Sequence, residues 1–175
     1  MAATQQSRTA SDLTFRRPAL SDAQNVWRLI GECPPLDVNS SYAYLLLCDH
    51  FAATSVVAEL EGKLSGFISG YLIPERPDSL FIWQVAVHER ARGLGLGRGM
   101  ILDILGRDVC SGVTQLETTV SPSNEASRRM FASAARALGT ELNEREHYDF
   151  ALMAEEGHES ENLITIGPIE QRNQA

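Results

Sequence analysis

The chain has 175 residues, 43% of them hydrophobic and 22% charged, and carries a net charge of −8. These values describe one globular domain of ordinary size, long enough for a proper core. No run of 18 apolar residues occurs, which excludes a membrane-spanning helix, and the acidic balance disfavours nonspecific nucleic-acid binding.

Residues 1–11 are small and polar and are expected to be disordered. One domain is expected over 12–168, followed by a flexible end at 169–175. "LTFRRPA" (13–19) reads as a first strand. "SDAQNVWRLIGEC" then reads as a helix with Ser21 as N-cap and Val26, Leu29 and Ile30 on one face. Pro34 and Pro35 break it, and "NSSYAYLLLCDHF" (39–51) is a second helix. "TSVVAEL" and "LSGFISGYLI" read as two strands joined by a tight turn at Gly62. Pro74 and Pro77 mark a loop. "SLFIWQVAVH" (79–88) is almost continuously apolar, as a central strand would be.

A helix follows over "GRGMILDILGRDVC", with Ile101, Leu102, Ile104 and Leu105 expected to be buried. "GVTQLETTV" is a further strand, and "SPSNEASRRMFASAARALG" a helix ending at Gly139. Two last strands are expected at 140–152 and in "NLITIGPI", with the polar loop "AEEGHESE" between them. The order describes an α/β (α+β) protein: a mixed sheet flanked by helices. Cys33, Cys48 and Cys110 form no CxxC pair, which argues against a disulfide scaffold or a zinc site. The opening residues show no apolar leader, so a cytoplasmic location is expected.

"RARGLGLGRG" (90–99) joins the apolar strand to the next helix, with glycine at every second position from Gly93 to Gly99. A strand, a glycine loop and a helix make a seat for phosphate groups. The first helical N–H groups are unpaired, the helix dipole is positive there, and glycine lets an anion approach the backbone. No lysine follows, so a Walker loop is excluded, and the dinucleotide spacing GxGxxG also fails.

Arg92-x-x-Gly95-x-Gly97 after a long apolar strand resembles the pyrophosphate loop of the GCN5-related N-acetyltransferases (the GNAT fold). Over 13–152 the element order also resembles that fold, a mixed central sheet of seven strands flanked by four helices. The resemblance implies acetyl-CoA as co-substrate and no metal. It assigns the pyrophosphate to Arg92, Gly93, Leu94, Gly95, Leu96, Gly97 and Arg98. Backbone N–H groups near Val85 and Val87 would meet the thioester and pantetheine; an aimed N–H stabilises a developing oxyanion. Asn124 would lie near the pantetheine, or simply cap its helix. A tyrosine seven residues further on often protonates the leaving thiolate in relatives, but Phe131 stands there.

Three separated blocks carry a narrower resemblance. They are "PPLDVNSSYAYLLLCDHF" (34–51), "FIWQVAV" (81–87), and a tail formed by His158, Glu159, Glu161, Leu163, Ile166, Gly167 and Pro168. Together they resemble the branch of the family that acetylates L-2,4-diaminobutyrate in ectoine biosynthesis. A homodimer is implied by that resemblance alone. Such an acceptor has two ammonium groups and one carboxylate. An amine with a pKa of about 10.4 is unprotonated to only about one part in a thousand at neutral pH. The enzyme must therefore grip a cation and then take a proton from it.

Asp37 is the leading candidate for the grip; the alternative is a carboxylate serving the dipole of the following helix. Tyr42 is assigned to the pocket and Tyr44 to packing, because residues two apart do not share a helix face. Trp83 is either core or a wall of the acceptor pocket, and the fold implied by the resemblance favours the wall. Glu156 and His158 are assigned to acceptor binding or proton relay. His50 reads as a charge at a helix C-terminus, and His88 and His147 have no assignment. The function expected is acetyl transfer to the γ-amine. Another small diamine or a peptide amine is the enzymatic alternative, and Phe131 keeps open a non-catalytic acyl-CoA sensor.

Overall fold

A computed structural model describes residues 13–148 and 159–170. The expected tails at 1–11 and beyond 170, the end of the 140–152 strand and most of the "AEEGHESE" loop lie outside the described residues. Strands β1 (Leu13–Arg16), β2 (Val56–Leu60), β3 (Lys63–Ile73), β4 (Arg76–Val87), β5 (Gln115–Val120), β6 (Leu142–Tyr148) and β7 (Glu161–Ile166) form one sheet. Their spatial order is β1-β2-β3-β4-β5-β7-β6. Helices are α1 (Ala23–Gly31), α2 (Ser41–Asp49), α3 (Leu96–Leu105) and α4 (Glu125–Leu138).

The period-2 geometry of a strand sends alternate side chains to opposite faces, and here both faces are covered. Val56, Ala58 and Leu60 of β2, with Ile68, Leu80 and Ile82, pack under α3 and α4. Val57, Phe67 and Ala86 face the other way, beneath α1 and α2. The apolar stripe of α1 (Val26, Leu29 and Ile30) is buried there as its sequence spacing requires. Burying both sheet faces between helix pairs is the main apolar contribution to stability.

Neighbouring strands are antiparallel except β4 and β5, which run parallel with Ser79–Ile82 beside Gln115–Thr118. Beyond Ile82, β4 continues to Val87 paired only with β3. The β2–β3 hairpin turns through Glu61 and Gly62 with φ of 53° and 70°, the left-handed backbone that a two-residue hairpin requires.

Three local expectations are corrected. Ser21 is not a cap: it lies inside a short 3-10 turn (Leu20–Asp22) that precedes α1. The polar group that organises this corner is Asp22, which accepts from the Ala19 amide at 2.7 Å and pairs with Arg16 at 2.7 Å. Pro77 is not in a loop but near the start of β4, where pairing with β3 jumps from Arg76 to Leu80 and no amide donor is required. On α3 the core takes Leu96, Met100, Ile101 and Ile104, whereas Leu102 and Leu105 are only half-buried.

Candidate active site

The four alternating glycines serve two purposes. Gly93 and Gly95 have φ of 78° and 76°, a conformation that carries a Cβ penalty in other residues. Gly95 is the N-cap of α3, so the first turn of the helix presents free amides. Gly97 and Gly99 already lie in α3 and permit close packing. A Cβ on Gly97 would overlap the Met130 sulfur of α4, and one on Gly99 would come within 2.7 Å of the Phe15 ring of β1.

This turn opens onto a cleft of about 810 Å³ lined by Gly93, Gly95, Leu96 and Gly97, and by three arginines, Arg92, Arg98 and Arg129. No carboxylate lines it among the described residues. Free amides, the positive end of a helix and three guanidiniums suit a diphosphate. Val85 and Val87 of β4 also line it, with Asn124 and with Ser127 of α4. Asn124 also caps α4, its side chain accepting from the Ser127 amide at 3.1 Å. Leu94, in contrast, is exposed and stands outside the cleft lining.

A second cavity, about 500 Å³, adjoins the first through shared walls at Leu36, Val85, Asn124 and Ser127. It opens where β4 leaves β5. Ser69 of β3 pairs with Gln84, but Gly70 pairs with Ile82, so Trp83 is an extra residue in the ladder. Such a bulge re-aims a side chain and ends regular pairing. Trp83 is consequently 49% exposed and lines the cavity rather than the core.

Asp37 and Glu161 line this cavity, and no cationic side chain does among the described residues. The Thr119 hydroxyl donates a short hydrogen bond to the Glu161 carboxylate. Glu117, on the same face of β5 as Thr119, adds no free charge, because Arg76 forks onto both of its oxygens at 2.5 and 3.0 Å. Tyr71 and Phe81 meet with ring centroids 5.3 Å apart, and both line the cavity. Burial, reinforced by Tyr148 and Glu117, raises the Tyr71 phenol above its ordinary range and keeps it a neutral hydroxyl.

Tyr42 is not in the cavity: it is 66% exposed on α2 and absent from both linings. Its neighbour Tyr44 is fully buried, as expected for packing, but its hydroxyl is engaged. Phe131 is buried and borders this second cavity instead of the arginine-lined cleft. Glu156 and His158 lie outside the described residues. Of the other histidines, His88 accepts from the Arg90 amide, and its second nitrogen is 3.5 Å from Glu32; His50 is 3.7 Å from Asp49 at the end of α2.

Sequence reasoning left Asn39, Tyr71, Tyr148 and Glu161 of the lining without a role. For Tyr148 and Glu161 the signal is a register: they are direct partners across β6 and β7. Cys33 borders the cleft, but burial raises its pKa, and burial drives Cys48 and Cys110 up to about 11. Neutral thiols are poor nucleophiles, and none lines the second cavity. Among the described residues no cluster of His, Cys, Asp and Glu has the form of a metal site, and no helix is long and apolar enough to cross a membrane.

A parting sheet, a glycine-opened helix N-terminus and an adjoining acidic cavity are the parts of an acyl-CoA-dependent N-acyltransferase. The chain belongs to the acetyltransferase (GNAT) family, whose sequence profile matches residues 23–135. It is 51% identical over 156 residues to the L-2,4-diaminobutyric acid acetyltransferase of Bordetella parapertussis, covering 89% of this chain and 84% of that one. It is 48% identical to the enzyme of the same name from Nocardia farcinica, covering 90% of this chain and 81% of that one. Its fold superimposes with a TM-score of 0.85 and 41% identity on the diaminobutyrate acetyltransferase EctA from Paenibacillus lautus, covering 91% and 97% of the two chains. That structure holds the substrate L-2,4-diaminobutyric acid and coenzyme A.

Proposed function

We propose that this enzyme transfers the acetyl group of acetyl-CoA to the γ-amine of L-2,4-diaminobutyrate. The products are N4-acetyl-L-2,4-diaminobutyrate and CoA, and the reaction is a step of ectoine formation. The observation that carries this reading is the separation of charge between two joined cavities. Arg92, Arg98 and Arg129 stand on one side, Asp37 and Glu161 on the other. The first suits a diphosphate and the second a substrate with two ammonium groups.

The γ-ammonium gives up a proton, and the neutral nitrogen attacks the thioester carbonyl carbon. The C–N bond forms, the C–S bond breaks, and the thiolate leaves to be protonated. Asp37 holds the ammonium, and its carboxylate or a water chain beside it receives the proton. Trp83 walls the aliphatic stem of the acceptor. Backbone amides at Val85 and Val87 face the reacting carbonyl, and the first turn of α3, with Arg92 and Arg98, holds the diphosphate. Glu156 and His158 complete the acceptor site in this proposal. With no ionised thiol at hand, transfer is direct within a ternary complex, whose proximity supplies much of the rate. Phe131 offers no proton, so water protonates the thiolate. The enzyme works in the cytoplasm as a homodimer.

The test is CoA thiol release measured with diaminobutyrate, ornithine, lysine and a peptide amine, with the acetylated nitrogen located by NMR. Fast release with diaminobutyrate alone and a γ-acetyl product is expected. Preference for another amine overturns the substrate assignment, and acetyl-CoA binding without release makes the protein a sensor.

A further inference from the structure

Asp37 lies in an exposed loop between α1 and α2, yet its carboxylate must be aimed to hold a cation. Two buried side chains from other elements tie this loop down. The Gln84 amide nitrogen donates to the Asp37 carbonyl at 3.0 Å. The Tyr44 hydroxyl accepts from the Asn39 amide at 3.3 Å and donates to Gln84 Oε1 at 3.3 Å. Tyr44 is 0% exposed and Gln84 7%.

Gln84 gives one hydrogen bond and takes one; so does Tyr44. The ring of Tyr44 packs among Val26, Leu47, Phe67 and Ala86, where phenylalanine would fill nearly the same space without a polar atom to satisfy. Gln84 directly follows the bulged Trp83. One irregularity in β4 therefore swings Trp83 into the acceptor cavity and sets Gln84 beneath the loop that carries Asp37.

We propose that Tyr44 and Gln84 are positioning residues: a buried clip that fixes the Asp37–Asn39 loop against β4 and so sets the affinity for the diamine. The inference rests on the acceptor site proposed above. Tyr44 lines neither cavity and acts only through the Asp37–Asn39 loop; Gln84 also borders the acceptor-side cavity beside Trp83, so Tyr44→Phe is the variant that isolates the clip.

The variants are Tyr44→Phe and Gln84→Met, alone and combined with Asp37→Ala. In each single clip variant the diamine KM rises on the order of ten-fold, because a buried hydrogen-bonding group is left unpaired, while the acetyl-CoA KM stays within about two-fold. In the Asp37→Ala background the clip variants add nothing further to the diamine KM, since their target is gone. Hydrogen exchange of the Asn39 amide, measured without either substrate, speeds up in Tyr44→Phe. Independent multiplication of the Asp37→Ala and Tyr44→Phe effects, equal rises in both KM values, or unchanged Asn39 exchange overturns the clip. If Tyr44→Phe does not fold, exchange of the Asn39 amide in Gln84→Met, measured without substrate, reads the clip: faster exchange supports it and unchanged exchange overturns it. A wild-type enzyme that ignores diaminobutyrate sinks the proposed function instead, and the exchange measurement still reports on the clip by itself.

Discussion

Replacing Gly97 with alanine adds one methyl group at the contact between α3 and α4. That carbon would overlap the Met130 sulfur and stand 2.9 Å from Met130 Cγ, well inside ordinary van der Waals separation. Because Cγ is close to the backbone, moving the end of the side chain is not enough. Met130 must change rotamer or the helices must part. Overpacking of this kind costs about 1–3 kcal/mol. For a chain of this size each kcal/mol lowers the melting temperature by about 2–4 °C, so Gly97→Ala melts roughly 2–12 °C below wild type by those two estimates. Both helices wall the arginine-lined cleft, through Gly97 and Arg98 on α3 and Met130 and Ser127 on α4. The acetyl-CoA KM rises, therefore, and the diamine KM stays near wild type. Circular-dichroism melts and steady-state kinetics read both effects. Adding Met130→Ala makes room, so the double variant melts higher than the sum of the two single losses predicts. Strict additivity, or a change confined to the diamine KM, would refute the packing argument.

Asp37→Asn keeps the shape and removes a carboxylate charge from the lining of the second cavity, the charge proposed to hold the diamine. Losing a hydrogen bond to a charged group costs about 1.5–3 kcal/mol, so the diamine KM rises roughly ten- to a hundred-fold, while calorimetry shows unchanged acetyl-CoA affinity. Asp22→Ala removes the acceptor of hydrogen bonds from Arg16 and the Ala19 amide and lowers stability at neutral pH by about 1–3 kcal/mol. The hydrogen bond from Arg16 holds the Asp22 carboxyl below its ordinary 3.8. Its contribution is thus present above that value and lost as pH falls through the lower folded value; denaturant titrations of the two proteins converge in acid. Burial pushes Cys48 and Cys110 up to about 11 from 9.0. The unfolded chain releases these protons first, so stability falls between those pH values. Ellman's reagent at pH 8 finds no fast thiol in the native enzyme, and all three cysteines after unfolding.

Where a feature depends on its own neighbours in sequence, it was legible. The spacing of Val26, Leu29 and Ile30 gave the buried face of α1, and the strand–glycine–helix run pointed to a phosphate seat at α3. For Asn124 the sequence leaves a choice between a pantetheine neighbour and a mere helix cap; it caps α4 and also lines the cleft. What depends on distant atoms was not legible. Gly97 reads as part of the phosphate loop and Gly99 has no role of its own, but Met130 and Phe15 are what forbid side chains there. The strand pattern by itself favours core for Trp83 and only the resemblance favours the cavity wall; the physical reason it leaves the core, an extra residue in the ladder against β3, depends on a distant strand. The parity argument separated Tyr42 from Tyr44 correctly; it could not say which face of α2 meets the cavity, and Tyr42 points away. Glu161 stood unassigned in the tail, because only the pairing of β6 with β7 brings it beside Tyr148.

The short run of parallel pairing between β4 and β5 has a wider consequence. The sheet is two leaves, β1–β4 and β5–β7–β6, stitched along Ser79–Ile82 and Gln115–Thr118 and otherwise divided. The cleft takes its walls from both, Val85 and Val87 on one leaf and α4, which follows β5, on the other. A molecule seated there acts as a rivet. Its binding energy adds to the cohesion of the protein by mass action, by about 2.7 kcal/mol at a hundred times its dissociation constant. The substrate is thereby also a structural member, and the enzyme is most firmly assembled when it is loaded to work.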